Sequence, residues 1–95
     1  MVKVIVERKV KKGKEAELMR LLREVKSAAT LYPGYISGET MTSIDDPTVF
    51  LVVASFTDIK SFEKWRDHPD RLKITAKIDA LLECPARIGV YSVIS

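Results

Sequence analysis

The chain of 95 residues predicts an α+β fold, a ferredoxin-like split βαβ arrangement with a four-stranded antiparallel sheet and its helices on one face. Three observations carry this. Strand and helix signals run in the order strand, helix, strand, strand, helix pair, strand. The segment Phe50-Leu51-Val52-Val53-Ala54-Ser55-Phe56 is apolar without alternation, which marks a strand covered on both faces. A chain of this length covers one sheet face with its own helices and leaves the other bare. The expected cover is a second copy, giving a homodimer whose two sheets pack into an α/β barrel.

Each element has its local reason. Val2 to Val10 is rich in β-branched residues and reads as the first strand. Lys12-Gly13-Lys14 turns the chain into a helix from Glu15 to Leu31. Leu18, Leu21, Leu22, Val25 and Ala29 recur there at helical spacing and form its core stripe. Glu15 and Glu17 suit the positive end of its dipole. Pro33-Gly34 ends it, because proline restricts Tyr32 and glycine permits the reversal. Tyr35 to Ile44 and Val49 to Phe56 are strands joined by the turn residues Asp45-Asp46-Pro47, which makes a hairpin. Thr57 or Asp58 caps a short helix carrying Ile59, Phe62 and Trp65. Pro69 starts the next helix, with Ile74, Ile78, Leu81 and Leu82 on one stripe, and Pro85 stops it. Arg87 to Ile94 is the last strand. One domain spans 1–95, without linker or low-complexity segment.

Composition narrows the function classes. Hydrophobic residues are 46% and charged residues 31%, the balance of a folded globular chain. No apolar stretch approaches a bilayer span, and Met1 to Glu7 reads as a strand and not a signal peptide. The single Cys84 excludes an internal disulfide and a cysteine-built metal site, so a cytoplasmic location is expected. Cys84 itself reads as a small buried hydrophobe. The net charge of +3 is concentrated in Arg8, Lys9, Lys11, Lys12 and Lys14. With no aromatic residues interleaved, that cluster reads as a solvated turn and not as a nucleic-acid patch.

Several stretches together resemble the antibiotic biosynthesis monooxygenase family. They are Lys12-Gly13-Lys14-Glu15-Ala16-Glu17-Leu18, Pro33-Gly34-Tyr35 and Phe50 to Asp58. To them are added Phe62, Trp65, His68-Pro69 and Val90-Tyr91-Ser92-Val93. The resemblance runs from Val4 to Val93. It implies dimeric α+β barrels with an apolar pocket between sheet and helices, and cofactor-independent oxidation of quinols or polyketide aromatics. The haem-degrading branch of that family uses an Asn, Trp and His set. Trp65 falls at the tryptophan, but Val6-Glu7-Arg8 and Thr75 stand where the asparagine and histidine belong. Haem therefore has no obvious iron ligand here. The polyketide branch places an asparagine and a tryptophan on the third strand, then a tyrosine. Val52, Phe56 and Phe62 stand there, so ring shape survives without the polar handles.

The resulting expectation is a monooxygenase without cofactor or metal, acting on a small aromatic substrate. Trp65, Phe56, Phe62 and Tyr91 hold the ring. His68, the sole histidine, takes the proton, and Arg66 or Arg87 steadies the anion. His68 has a second reading as the cap of the helix beginning at Pro69. The alternative function is a non-catalytic dimeric module that binds a small apolar ligand.

Overall fold

The computed structural model describes all 95 residues. Alternation within β1 (Val2–Lys9) sends Val4, Val6 and Arg8 to one face of the sheet and Lys3, Ile5 and Glu7 to the other. The turn after it passes through Gly13 at a positive φ of 90°, and the Gly13 N–H donates to the Glu15 carboxylate. Helix α1 (Glu15–Ala29) then buries Leu18, Leu21, Leu22 and Ala29, four of the five stripe positions. It ends two residues short of Leu31, which is exposed.

Gly34 carries the reversal into β2 (Tyr35–Thr42). Its φ is 94°, and a Cβ there would collide with Ser61. Strands β2 and β3 (Val49–Phe56) form the expected hairpin. Its register slips between Tyr35 and Ser37, where Ile36 makes a bulge. Asp58 caps α2 (Ile59–Arg66) by accepting from the Ser61 N–H at 2.8 Å, which decides between the two cap candidates. Pro69 opens α3 (Pro69–Asp79), and β4 (Arg87–Ser92) closes the chain. Leu81 and Leu82 are buried just beyond α3.

The strands order as β2-β3-β1-β4, all neighbours antiparallel. This is the split βαβ fold expected from the sequence. The three helices lie on one face, and two apolar clusters fill the space beneath them. One is built around Leu18, Leu21 and Ile78, the other around Phe56, Phe62 and Trp65. On the opposite face Ile5, Leu51 and Val53 line up across β1 and β3, with Met41 and Tyr91 beside them. No element of the chain covers that side. No helix is long and apolar enough to cross a membrane.

Candidate functional site: a cavity between sheet and helices

The helix-facing side of the sheet does not close fully against its helices. Val4, Val6, Val52 and Ala54 form the floor of a cavity of about 70 Å³. Helix α1 contributes Leu22, Val25 and Ala29 to the opposite wall. Phe56, Phe62 and Trp65 supply an aromatic side, each no more than 4% exposed. Phe56 meets Phe62 edge-on with centroids 5.4 Å apart, and Tyr35 meets Phe56 the same way at 5.6 Å. Three of the four ring-holding residues expected from the sequence therefore stand together at this cavity. The cap of α2 explains how: Asp58 fixes the helix start, and the i, i+3 spacing then turns Phe62 and Trp65 inward.

Tyr91 lies elsewhere. Its β1 partner is Lys3, on the face of the sheet away from the helices, and the residue is 58% exposed. Arg87 pairs with Glu7 on that same far face, 3.9 Å from its carboxylate. Arg66 is turned to solvent and held by Asp67 through two hydrogen bonds of 2.9 and 3.0 Å. None of these three side chains lines the cavity.

His68 takes the capping position. Its Nδ1 accepts from the Asp70 N–H at 3.1 Å, so the neutral ring carries its proton on Nε2. The lone pair that a general base would use is already committed to α3. The ring stacks on Trp65 at 6.3 Å and meets Tyr32 edge-on at 4.8 Å. It adjoins the cavity only through the indole.

Two polar groups of the cavity, Arg8 and Arg71, are ones the sequence did not assign to the site. Arg8 belongs by position to the basic run after β1, yet it is only 6% exposed. It shares the parity of Val4, Val6 and Val10, and that parity was the available signal. Its side chain makes no hydrogen bond, and its Nε is enclosed without a partner. Burial chiefly, and then repulsion from Arg71, pushes the guanidinium down to about 10, with Asp79 opposing. Arg71 also lines the cavity, half-buried, with one Nη donating to the Arg66 carbonyl at 3.0 Å. Burial lowers its pKa too, against the attraction of Asp79. Lys26 stands at the α1 side.

Tyr35 completes the set. The bulge at Ile36 breaks the alternation of β2 and turns Tyr35 to the helix side, where its hydroxyl lies over Gly38. Burial raises its pKa, so the phenol remains a donor. Glu39 touches the cavity, but its pairing with Val53 sends its side chain to the far face.

The rest of the basic cluster is solvated. Lys9 faces Asp46 at 4.0 Å, and Lys11 reaches the Ala80 carbonyl. Cys84 is exposed, against the expectation of burial, because the chain leaves α3 at the surface before Pro85.

The fold has close counterparts among solved structures. A putative antibiotic biosynthesis monooxygenase from Nitrosomonas europaea superposes with a TM-score of 0.91 at 20% identity, over 100% of both chains. SnoaB, a cofactor-independent oxygenase from Streptomyces nogalater, superposes at 0.90 with 18% identity, over 99% of this chain and 93% of that one. A putative antibiotic biosynthesis monooxygenase from Deinococcus radiodurans gives 0.91 at 16% identity, over 100% and 94%. No curated protein sequence matches the chain. The sequence profile described as antibiotic biosynthesis monooxygenase matches residues 1–77, spanning β1 to α3 and every cavity residue described above. The chain belongs to the antibiotic biosynthesis monooxygenase family.

Proposed function

We propose that the protein is a cofactor-independent monooxygenase that takes a small aromatic, quinol-like substrate into this cavity. One observation carries the reading. An aromatic wall and hydrogen-bond donors share a single cavity, with Trp65, Phe56 and Phe62 beside Arg8, Arg71 and Tyr35. Family membership supports it. The chemistry balances without an external reductant: a quinol and dioxygen give a hydroxyquinone and water. One oxygen atom stays on a ring carbon, the other leaves as water, and the quinol supplies all the electrons.

Oxygen uptake with a panel of hydroquinones tests the reading. Uptake above the uncatalysed rate, lost in Trp65→Ala, is the expected result. A rate equal to the uncatalysed one overturns it for that substrate class.

A second reading rests on the committed lone pair of His68. With no carboxylate or free imidazole turned into the cavity, the chain is then a small-ligand binding module without catalysis. It shares the prediction that Trp65→Ala abolishes binding, and it differs in showing no oxygen uptake.

The reading includes a twofold dimer through the open sheet face. Ile5, Leu51, Val53, Met41 and Tyr91 form an apolar centre there. Lys3, Glu7, Glu39 and Arg87 surround it with both signs of charge, as a surface that meets its own copy requires. Light scattering at a dimer mass, falling to monomer in Leu51→Lys, is the expected outcome. A wild-type monomer contradicts it.

A further inference from the structure

A guanidinium nearly out of reach of water and without a partner is costly to fold. Arg8 is such a group, and its position in the cavity turns that cost into a recognition element. We propose that the cavity selects its ligand as an anion, an aromatic ring bearing a conjugated oxyanion that Arg8 and Arg71 hold between them. This rests on the reading of the cavity as a substrate site, and it specifies which quinol-like molecules enter and in what ionic form.

Four observations converge. The Arg8 side chain makes no hydrogen bond, and no carboxylate lies within ion-pair distance of it or of Arg71. The two guanidiniums come from different elements, β1 and α3, both line the cavity, and Arg8 feels the positive charge of Arg71. Arg71 is held in place by the carbonyl of Arg66 at the end of α2, so its remaining donors stay free. The apolar floor and aromatic side allow a flat ring to lie beside them with little water, which strengthens every charged hydrogen bond.

The charged and titratable groups facing this pair are few. Lys26 on α1 and Tyr35 on β2 line the same space, and neither opposes an anion; Glu39 on β2 touches it too, but its register opposite Val53 sends the carboxylate to the far face of the sheet. Asp79 on α3 attracts both guanidiniums from a distance, and Asp67 attracts Arg71. Arg66 repels Arg71. An oxyanion in the cavity answers this excess of positive charge, and a neutral ring does not.

The consequence for chemistry is direct. A cavity that binds the ionised ligand more tightly than its acid lowers the ligand's own pKa. The proton then leaves to solvent without a protein base, which fits the absence of an available imidazole. An ionised phenol or quinol also gives up electrons to dioxygen more readily than the neutral form.

The test uses 4-nitrophenol, whose anion absorbs in the visible, beside its neutral methyl ether 4-nitroanisole. Binding is followed through Trp65, the only tryptophan. Wild-type protein is expected to bind the phenolate at least about tenfold more tightly than the ether and to lower the phenol's apparent pKa by about one unit or more. Arg8→Met and Arg71→Met are each expected to lose the preference while still binding the ether, which also shows that both variants fold. Paired titrations with 4-nitrobenzoate and its methyl ester separate a conjugated oxyanion from any carboxylate. A benzoate preference equal to the phenolate preference overturns the conjugated part of the proposal. Equal affinity for phenolate and ether, or a preference that survives Arg8→Met, overturns the whole of it. Binding is scored apart from oxygen uptake. An anion preference without uptake therefore condemns only the oxygenase reading, and uptake without the preference condemns only this one.

Discussion

A guanidinium that is 6% exposed and lowered to about 10 is still charged at neutral pH. Holding that charge in the folded state costs roughly 3 kcal/mol relative to the unfolded chain. The sign follows from proton binding. Folded Arg8 binds its proton less tightly than unfolded Arg8, so the penalty is complete below about pH 10 and is relieved above it. Arg8→Met keeps an unbranched apolar stem and removes the charged head. It is expected to raise stability by about 1–3 kcal/mol, or several degrees in Tm for a domain of this size, by calorimetry at neutral pH. A fall in Tm would mean that the guanidinium is satisfied in the folded state. His68→Ala is expected to cost about 1 kcal/mol through loss of the α3 cap acceptor. It should leave affinity for 4-nitroanisole almost unchanged, because the ring adjoins the cavity only through Trp65. A large loss of affinity there would restore His68 to the site. Parity along β1 was the one sequence signal that separated Arg8 from the solvated lysines after it, since a residue in register with Val4 and Val6 faces the helices.

Elements set the site through their ends and irregularities more than through their middles. Helix α2 is short, and its Asp58 cap is what orients Phe62 and Trp65 toward the sheet. The hydrogen bond from the Ser61 N–H holds the Asp58 carboxyl below its ordinary value. A carboxyl lowered on folding stabilises above the ordinary carboxylate range and loses that contribution as pH falls through its folded value. Asp58→Ala is therefore expected to lower Tm at neutral pH and to show a smaller further fall on acidification than the wild type. An identical acid response in the two proteins would show that the cap contributes nothing. Strand order, the helix stripe of Leu18, Leu21 and Leu22, and the proline that opens α3 were all legible, because each follows from local periodicity or backbone restriction; α3 itself stops at Asp79, well before Pro85. The bulge at Ile36 was not. A single inserted residue leaves no mark in composition, yet it reverses which side of the sheet Tyr35 faces. Tyr91 shows the same limit from the other direction. A tyrosine on a β-strand fits either face, and only the pairing with Lys3 decides it.

At the scale of the whole molecule, the non-alternating β3 segment announced that both sheet faces would be dry, and the structure covers one of them with helices. The other keeps Leu51, Val53 and Ile5 at the surface, and a second copy is the cover proposed for it. The helix-covered face is where the chain departs from a filled core. Its cavity brings together residues from β1, α1, β2, β3, α2 and α3, a gathering that no single stretch of sequence displays. Family resemblance pointed to that space and to Trp65, Phe56 and Phe62. It gave no role in the site to Arg8, Arg71 or Tyr35, whose roles depend on register, burial and the bulge. The central claim is that a small aromatic ligand enters this space, and Trp65 reports on it from the wall. Titration of the wild-type protein with a hydroquinone should give a saturable change in Trp65 fluorescence that 4-nitrophenolate competes away. A signal that stays flat, or that falls linearly without saturation or competition, would mean that the cavity is a packing defect in a closed core.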